Sequence, residues 1–184
     1  MRYRSISPNI GAVLVLSLLA GCGVARQLTT RHKTFTYTVS LPPAPANTMA
    51  HAQYTLDEEV QNTYQKYHGG VDSTRFAYHA LNSSATQSST LKLYASLADN
   101  LTANQLDQQA TLVTTITLTP SEDRTVTMDQ AQNNGPLRTF LASVLQQGTV
   151  STIHFYAAMG SADPTAMVTM EEFTTQVQVH GSYF

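Results

Sequence analysis

The chain of 184 residues has one cysteine and no tryptophan. One cysteine excludes an intramolecular disulfide and any multi-thiolate metal site, so the fold must rest on its hydrophobic core alone. Charge is scarce as well. Asp, Glu, Lys and Arg make up 12% of the chain, about half the usual share of about 25%. Basic residues do not outnumber acidic ones, with ten Lys and Arg against twelve Asp and Glu. The basic face that nucleic-acid binding requires is therefore missing. No apolar run reaches the ~20 residues of a membrane-spanning helix. Phosphate loops of the GxGxxG and GxxxxGK[ST] type, the GxSxG nucleophile elbow and the HExxH zinc motif are all absent.

What is present begins at the N-terminus. Arg2 and Arg4 form a positive start, and Ile10 to Ala20 is apolar apart from Gly11 and Ser17. That length suits a signal-peptide core. It ends in Leu19-Ala20-Gly21-Cys22, which contains the one cysteine. This stretch resembles the lipobox of bacterial lipoproteins, in which a small-residue pair precedes a cysteine that is lipidated and becomes the mature N-terminus. The resemblance covers about the first two dozen residues. It implies removal of residues 1–21, a diacylglycerol thioether on Cys22 and a bilayer as the first partner. Each buried acyl CH₂ contributes about 0.8 kcal/mol, so two or three chains make a lasting anchor. Gly23 stands where an aspartate commonly marks inner-membrane retention, so the resemblance favours the outer membrane. Without Arg2 and Arg4, eight basic residues face twelve acidic ones, a formal charge of −4.

Residues 22–33 read as a tether and 34–184 as a single globular β-rich domain of ordinary size. Phe35, Tyr37, Val39 and Leu41 alternate with Thr34, Thr36, Thr38 and Ser40, which predicts a half-buried strand. Pro42, Pro43 and Pro45 are expected to stop it as a stiff connector. Thr55-Leu56-Asp57-Glu58 matches a capping box and predicts a helix near 56–67 ending at Gly69 and Gly70. Arg75–Leu81 and Leu91–Leu97 read as the strands of a hairpin. Asp99–Gln109 reads as a loop or one helical turn. Thr111–Thr119 is a strand, and Arg124–Met128 can pair back to it across Pro120-Ser121-Glu122-Asp123. Leu137, Phe140, Leu141, Val144 and Leu145 form one stripe of a second helix over 136–147, with Pro136 at its start and Gly148 at its end. Strands follow at 152–159 and 171–179.

Gly70–Ser83 and Gly148–Ser161 share six of fourteen positions without gaps, which suggests a duplicated helix–strand–strand unit or a shared composition. The fold expected is mainly β, an antiparallel two-sheet sandwich with two short amphipathic helices. The alternative is an α+β open antiparallel sheet. An outer-membrane barrel is excluded, because positions alternating back from Phe184 are Ser182, His180 and Gln178, a polar lipid face.

Chemistry is sparse. The six histidines are His32, His51, His68, His79, His154 and His180. None has a partner at metal-ligand spacing, and His79, His154 and His180 lie on predicted strands, where an exposed imidazole is expected. Two or more of His51, His68, His79 and His154 meeting a carboxylate in one cleft would instead mark an enzyme. Asp57, Glu58 and Glu59 suit the positive end of a helix dipole. Glu171 and Glu172 point to opposite faces of a strand and make no acid–base pair. Tyr37, Tyr78, Tyr94 and Tyr156 lie on predicted strands, either in the core or on a partner-binding face. No catalytic residue, metal or cofactor is expected. The function expected is a non-enzymatic envelope lipoprotein that binds or scaffolds a protein partner in the envelope. Phe35 to Pro45 resembles the start of transporter-auxiliary lipoproteins. Those close with a helix and this chain with a strand, so an accessory subunit of a transport or secretion machine stands second. An enzyme with a site not visible in sequence stands third.

Overall fold

In the computed structural model, residues 30–66, 69–129, 135–149 and 151–182 are described. Eight strands run in order: β1 (Thr30–Pro45), β2 (Met49–Thr55), β3 (Gly70–Asn82), β4 (Ser89–Ser96), β5 (Thr111–Leu118), β6 (Asp123–Asp129), β7 (Thr152–Ser161) and β8 (Met167–Ser182). They pair antiparallel in two sheets, with orders β1-β8-β3-β6 (sheet I) and β2-β7-β4-β5 (sheet II). The pairs β1–β8, β2–β7, β3–β6 and β4–β5 are those of one long hairpin folded over itself, which makes the sandwich a jelly roll. Advancing each strand number by four turns sheet I into sheet II read backwards. β3 and β7, which carry most of the two similar segments, therefore occupy equivalent positions.

The alternation of β1 is realised, with Phe35, Tyr37 and Leu41 buried and Thr34, Thr36 and Thr38 exposed. The prolines do not stop this strand. It continues to Pro45 because β1 is the edge of sheet I and its register shifts between Val39, Leu41 and Ala44. Edges and bulges leave backbone N–H groups out of the ladder, so proline costs little there. The strand also begins at Thr30, inside the stretch expected to be tether.

The expected hairpins are not formed. β3 pairs with β8 and β6, while β4 pairs with β5 and β7. β5 and β6 likewise lie in different sheets. Alternation sets which face of a strand is buried but is silent on its neighbour, so adjacency in sequence was a poor guide. The turn at 120–123 does form, with Glu122 N–H donating to Thr119 O at 3.1 Å.

Three helices are present among the described residues: α1 (Glu58–Lys66), α2 (Ala103–Gln109) and α3 (Pro136–Gln146). α1 starts later than the capping box implied. Thr55 ends β2 and its hydroxyl meets that of Thr152 at 3.0 Å, while the Asp57 carbonyl accepts from Val60 and Gln61 at 3.1 and 3.3 Å. The stripe of α3 holds as expected, with Leu137, Leu141, Val144 and Leu145 fully buried. α3 touches β3 of one sheet and β5 of the other, and α1 packs beside it. Both feed apolar side chains into the core between the sheets. Phe155 and Phe173 meet across that core at 4.9 Å. α2 covers the other face of sheet II, where Leu106 joins Leu101, Tyr94 and Tyr156 in a second small cluster. Gln105 Oε1 accepts from Thr102 N–H at 2.9 Å and stabilises its first turn.

Candidate functional site

Cys22 and His68 lie outside the described residues. The remaining histidines all have polar partners, and the partners were not visible in the sequence. His79 pairs with Asp123 across β3 and β6 and is half exposed. His32 Nδ1 lies 2.8 Å from Asp72 Oδ2, and His180 Nδ1 contacts Asp72 Oδ1. This group ties β1, β3 and β8 together. The His180 ring lies over Gly70, where a Cβ would come within 2.7 Å of it. The two imidazoles hold different oxygens of one carboxylate, so their nitrogens surround the carboxylate rather than a common point.

The third group differs. His51 sits on β2 directly opposite Tyr156 of β7, and His154 lies two residues before Tyr156 on the same face. His51 Nε2 and His154 Nδ1 are 3.0 Å apart. Asp99 Oδ1 lies 3.4 Å from His154 Nδ1 and 3.8 Å from His51 Nε2. These three atoms form one compact triangle of potential ligands. His154 is buried, contrary to the exposed imidazole expected on a strand. His51 stacks beside it with ring centroids 5.2 Å apart, and Tyr156 and Asp99 adjoin it. Burial holds the His154 imidazole below its usual range, Asp99 pulls it up and His51 pushes it down. A neutral ring is the form that accepts a hydrogen bond or a metal.

Asp99 is held from both sides. The Tyr156 hydroxyl donates to Ala98 O at 2.8 Å and accepts from Leu101 N–H at 3.4 Å. Burial raises its pKa, so it remains a donor. Asp99 Oδ1 also accepts from Asn100 N–H at 2.7 Å, with Asn100 in the left-handed region at φ 57°. Thus β7 presents His154 directly and Asp99 through Tyr156. The sequence named His51 and His154 among four histidines that could meet a carboxylate, but Asp99 escaped it, because the segment 99–109 read only as a polar loop or one helical turn. His51 and His154 are 103 residues apart, so no local spacing reveals them.

A second feature is the outer face of sheet I. Register places Thr34, Gln178 and Ser73 in one row, Thr36, Gln176 and Arg75 in the next, and Thr38, Thr174 and Ala77 in a third. The Thr38 and Thr174 hydroxyls bond at 3.2 Å. The face carries a depression of about 210 Å³ lined by Thr34, Ser73, Arg75, Gln176 and Gln178. The tyrosines do not contribute to it. Tyr37, Tyr78, Tyr94 and Tyr156 are all buried, which decides between the two expectations for them.

No protein-family model matches the chain, and no curated protein does. Solved structures of similar outline exist at low identity. One is dimeric latent PorU from Porphyromonas gingivalis, at 7% identity and TM-score 0.44, with 84% of this chain and 13% of that chain covered. The chain thus spans a small part of that protein. Another is turnip yellow mosaic virus, at 13% identity and TM-score 0.40, covering 83% and 80%. A third is the carbohydrate-binding module CBM36 in complex with calcium and xylotriose, at 11% identity and TM-score 0.37, covering 79% and 97%. These likenesses assign no function to the residues above.

Proposed function

We propose that the chain is a lipid-anchored lipoprotein of the bacterial envelope, favouring the outer membrane, whose jelly-roll domain is a non-enzymatic binding or scaffolding module. The observation that carries this reading is Leu19-Ala20-Gly21-Cys22 at the end of an apolar run behind Arg2 and Arg4. β1 begins at Thr30, eight residues after Cys22. Eight residues reach at most about 29 Å when fully extended, so an acylated Cys22 keeps the domain close to the bilayer. Among the described residues no helix is long and apolar enough to cross a membrane.

The hydroxyl and amide face of sheet I supports a binding role. An accessory subunit buried in a transport machine calls for a broad apolar patch, whereas the exposed large hydrophobics among the described residues are Leu97, Leu112 and Met167. An enzyme remains the second reading, favoured by the meeting of His51 and His154 with Asp99. Two of the four histidines thus meet a carboxylate, but the one-cleft condition is unmet: neither the depressions on sheet I nor the one of about 340 Å³ on sheet II, bordered by Lys92, Ala103, Ala158 and Met159, includes any of the three in its lining. The test is palmitate labelling and detergent-phase partitioning of the full-length chain beside Cys22→Ser, followed by crosslinking in the intact envelope. The wild type is expected to label, partition into detergent and begin at an acylated Cys22. The serine variant is expected to remain an unlabelled precursor. A serine variant still cleaved after residue 21 and lipidated overturns the anchor.

A further inference from the structure

We propose that His51 Nε2, His154 Nδ1 and Asp99 Oδ1 form a mononuclear site for a divalent ion of the zinc class. This goes beyond the binding-module reading and does not depend on the anchor.

The argument is first one of distances. Zinc binds imidazole nitrogen and carboxylate oxygen at about 2.0–2.2 Å, in tetrahedral geometry. Ligand atoms on such a tetrahedron are therefore about 3.3–3.5 Å apart. The three separations here are 3.0, 3.4 and 3.8 Å and bracket that edge. The three donor atoms are thus already near the right separations, although the two imidazoles face each other and must turn toward an ion. The His32–Asp72–His180 group fails the same test, because its nitrogens lie on opposite oxygens of one carboxylate.

Chemistry and support agree with the distances. Two imidazoles and one carboxylate, with no thiolate, suit zinc or copper(II) over magnesium or calcium, which prefer all-oxygen sets. His51 and His154 are nearly parallel, at 15°, and share an N···N hydrogen bond edge to edge. An ion replaces the proton between them. To open the line of that bond into a tetrahedral angle, the two rings must together turn by about 70°. Most of that turn falls to His51, which is half exposed on edge strand β2, because His154 is buried. Asp99 is oriented by the Asn100 N–H and by the two Tyr156 contacts on either side of it. Such outer contacts typically hold ligands in place. Three protein ligands leave a fourth position for water or for a donor from a partner.

The experiment uses the full-length chain in detergent, stripped with a chelator and titrated with zinc chloride, with metal content read by elemental analysis. One zinc per chain is expected, unaffected by millimolar magnesium or calcium. At zinc about 100 times Kd, Tm is expected to rise on the order of 5–10 °C. His51→Ala and Asp99→Asn should each weaken binding at least about 10-fold and so cut the Tm rise at the same zinc concentration to about half or less, with metal-free melts close to wild type. Both sites are half exposed, so these variants fold where His154→Ala, which opens a buried cavity, need not. Tyr156→Phe should weaken binding at unchanged stoichiometry, as expected of a positioning residue. Uptake well below one ion per chain overturns the proposal. So does uptake that survives both His51→Ala and Asp99→Asn, which marks an adventitious ion only, or uptake lost in Asp72→Asn instead.

Discussion

Asn82 offers the sharpest test of how this chain is folded. It ends β3, where the backbone leaves sheet I for sheet II, and it is fully buried. Its Nδ2 donates to Gln87 O at 2.9 Å and Thr119 O at 3.0 Å, with Leu118 O at 3.4 Å. Its Oδ1 accepts from Ser84 N–H at 3.1 Å and from the Ser89 hydroxyl at 3.0 Å. One side chain thus fastens the β3–β4 crossover to the end of β5. Asn82→Ala removes these bonds and strands their partners. Each bond contributes about 0.5–1.5 kcal/mol net, and a buried unsatisfied partner costs about 1–3 kcal/mol. Water reaches the exposed Gln87 end of the loop and offsets part of this, so we expect a loss of about 3–5 kcal/mol. That is a large share of the total stability of about 5–15 kcal/mol expected of a domain, and corresponds to a Tm drop on the order of 6–20 °C. Urea melts followed by circular dichroism measure it, with Thr86→Ala in the same loop as the control. Asn82→Asp keeps the shape but removes both donors, and should cost as much or more. Ser89→Ala removes one bond and should cost about 1 kcal/mol. If Asn82→Ala falls within about 0.5 kcal/mol of Thr86→Ala, the crossover is not held by this side chain and the reasoning fails.

Two further predictions concern the core and acid stability. Leu141→Ala, fully buried on α3, should cost about 2–5 kcal/mol. The exposed Thr139→Ala should change stability by no more than about 0.5 kcal/mol, and equal small effects in denaturant melts would remove α3 from the core. Arg138 is not a suitable surface control, because its Nε donates to Val71 O at 2.8 Å. Asp163 accepts from the Ser84 hydroxyl at 2.7 Å, the Thr165 hydroxyl at 2.7 Å and Thr165 N–H at 2.9 Å. Ser84 and then Thr165 hold its carboxyl below the usual range. A depressed folded pKa stabilises the fold above the free value near 4 and loses that contribution as pH falls through the folded value. Stability curves of wild type and Asp163→Ala should therefore differ at neutral pH and converge toward acid. A gap constant from pH 7 to pH 2 refutes the assignment.

The residues alone determined the β-rich sandwich, the α3 stripe and the buried face of β1. Those are matters of local period, and burial on one face of a strand or helix writes itself into the sequence at spacing two or 3.6. The single cysteine placed in Leu19-Ala20-Gly21-Cys22 is a local signal of the same kind. Strand partners were not legible, because alternation is identical for a strand paired in either sheet. The jelly-roll order therefore emerged only from the tertiary structure, as did the passage of β1 through Pro42 and Pro45, which an edge with bulges tolerates. The burial of His154 depended on His51, Tyr156 and Asp99 meeting around it, the last from a segment that read as a loop or one helical turn. The His51–His154–Asp99 group depended on three elements far apart in the chain. Residues 51 and 154 become neighbours because β2 pairs with β7, and Asp99 joins them because the Tyr156 hydroxyl of β7 holds the backbone on either side of it. Sequence periodicity reports what each element buries, whereas a site of this kind is made by what the elements bring together.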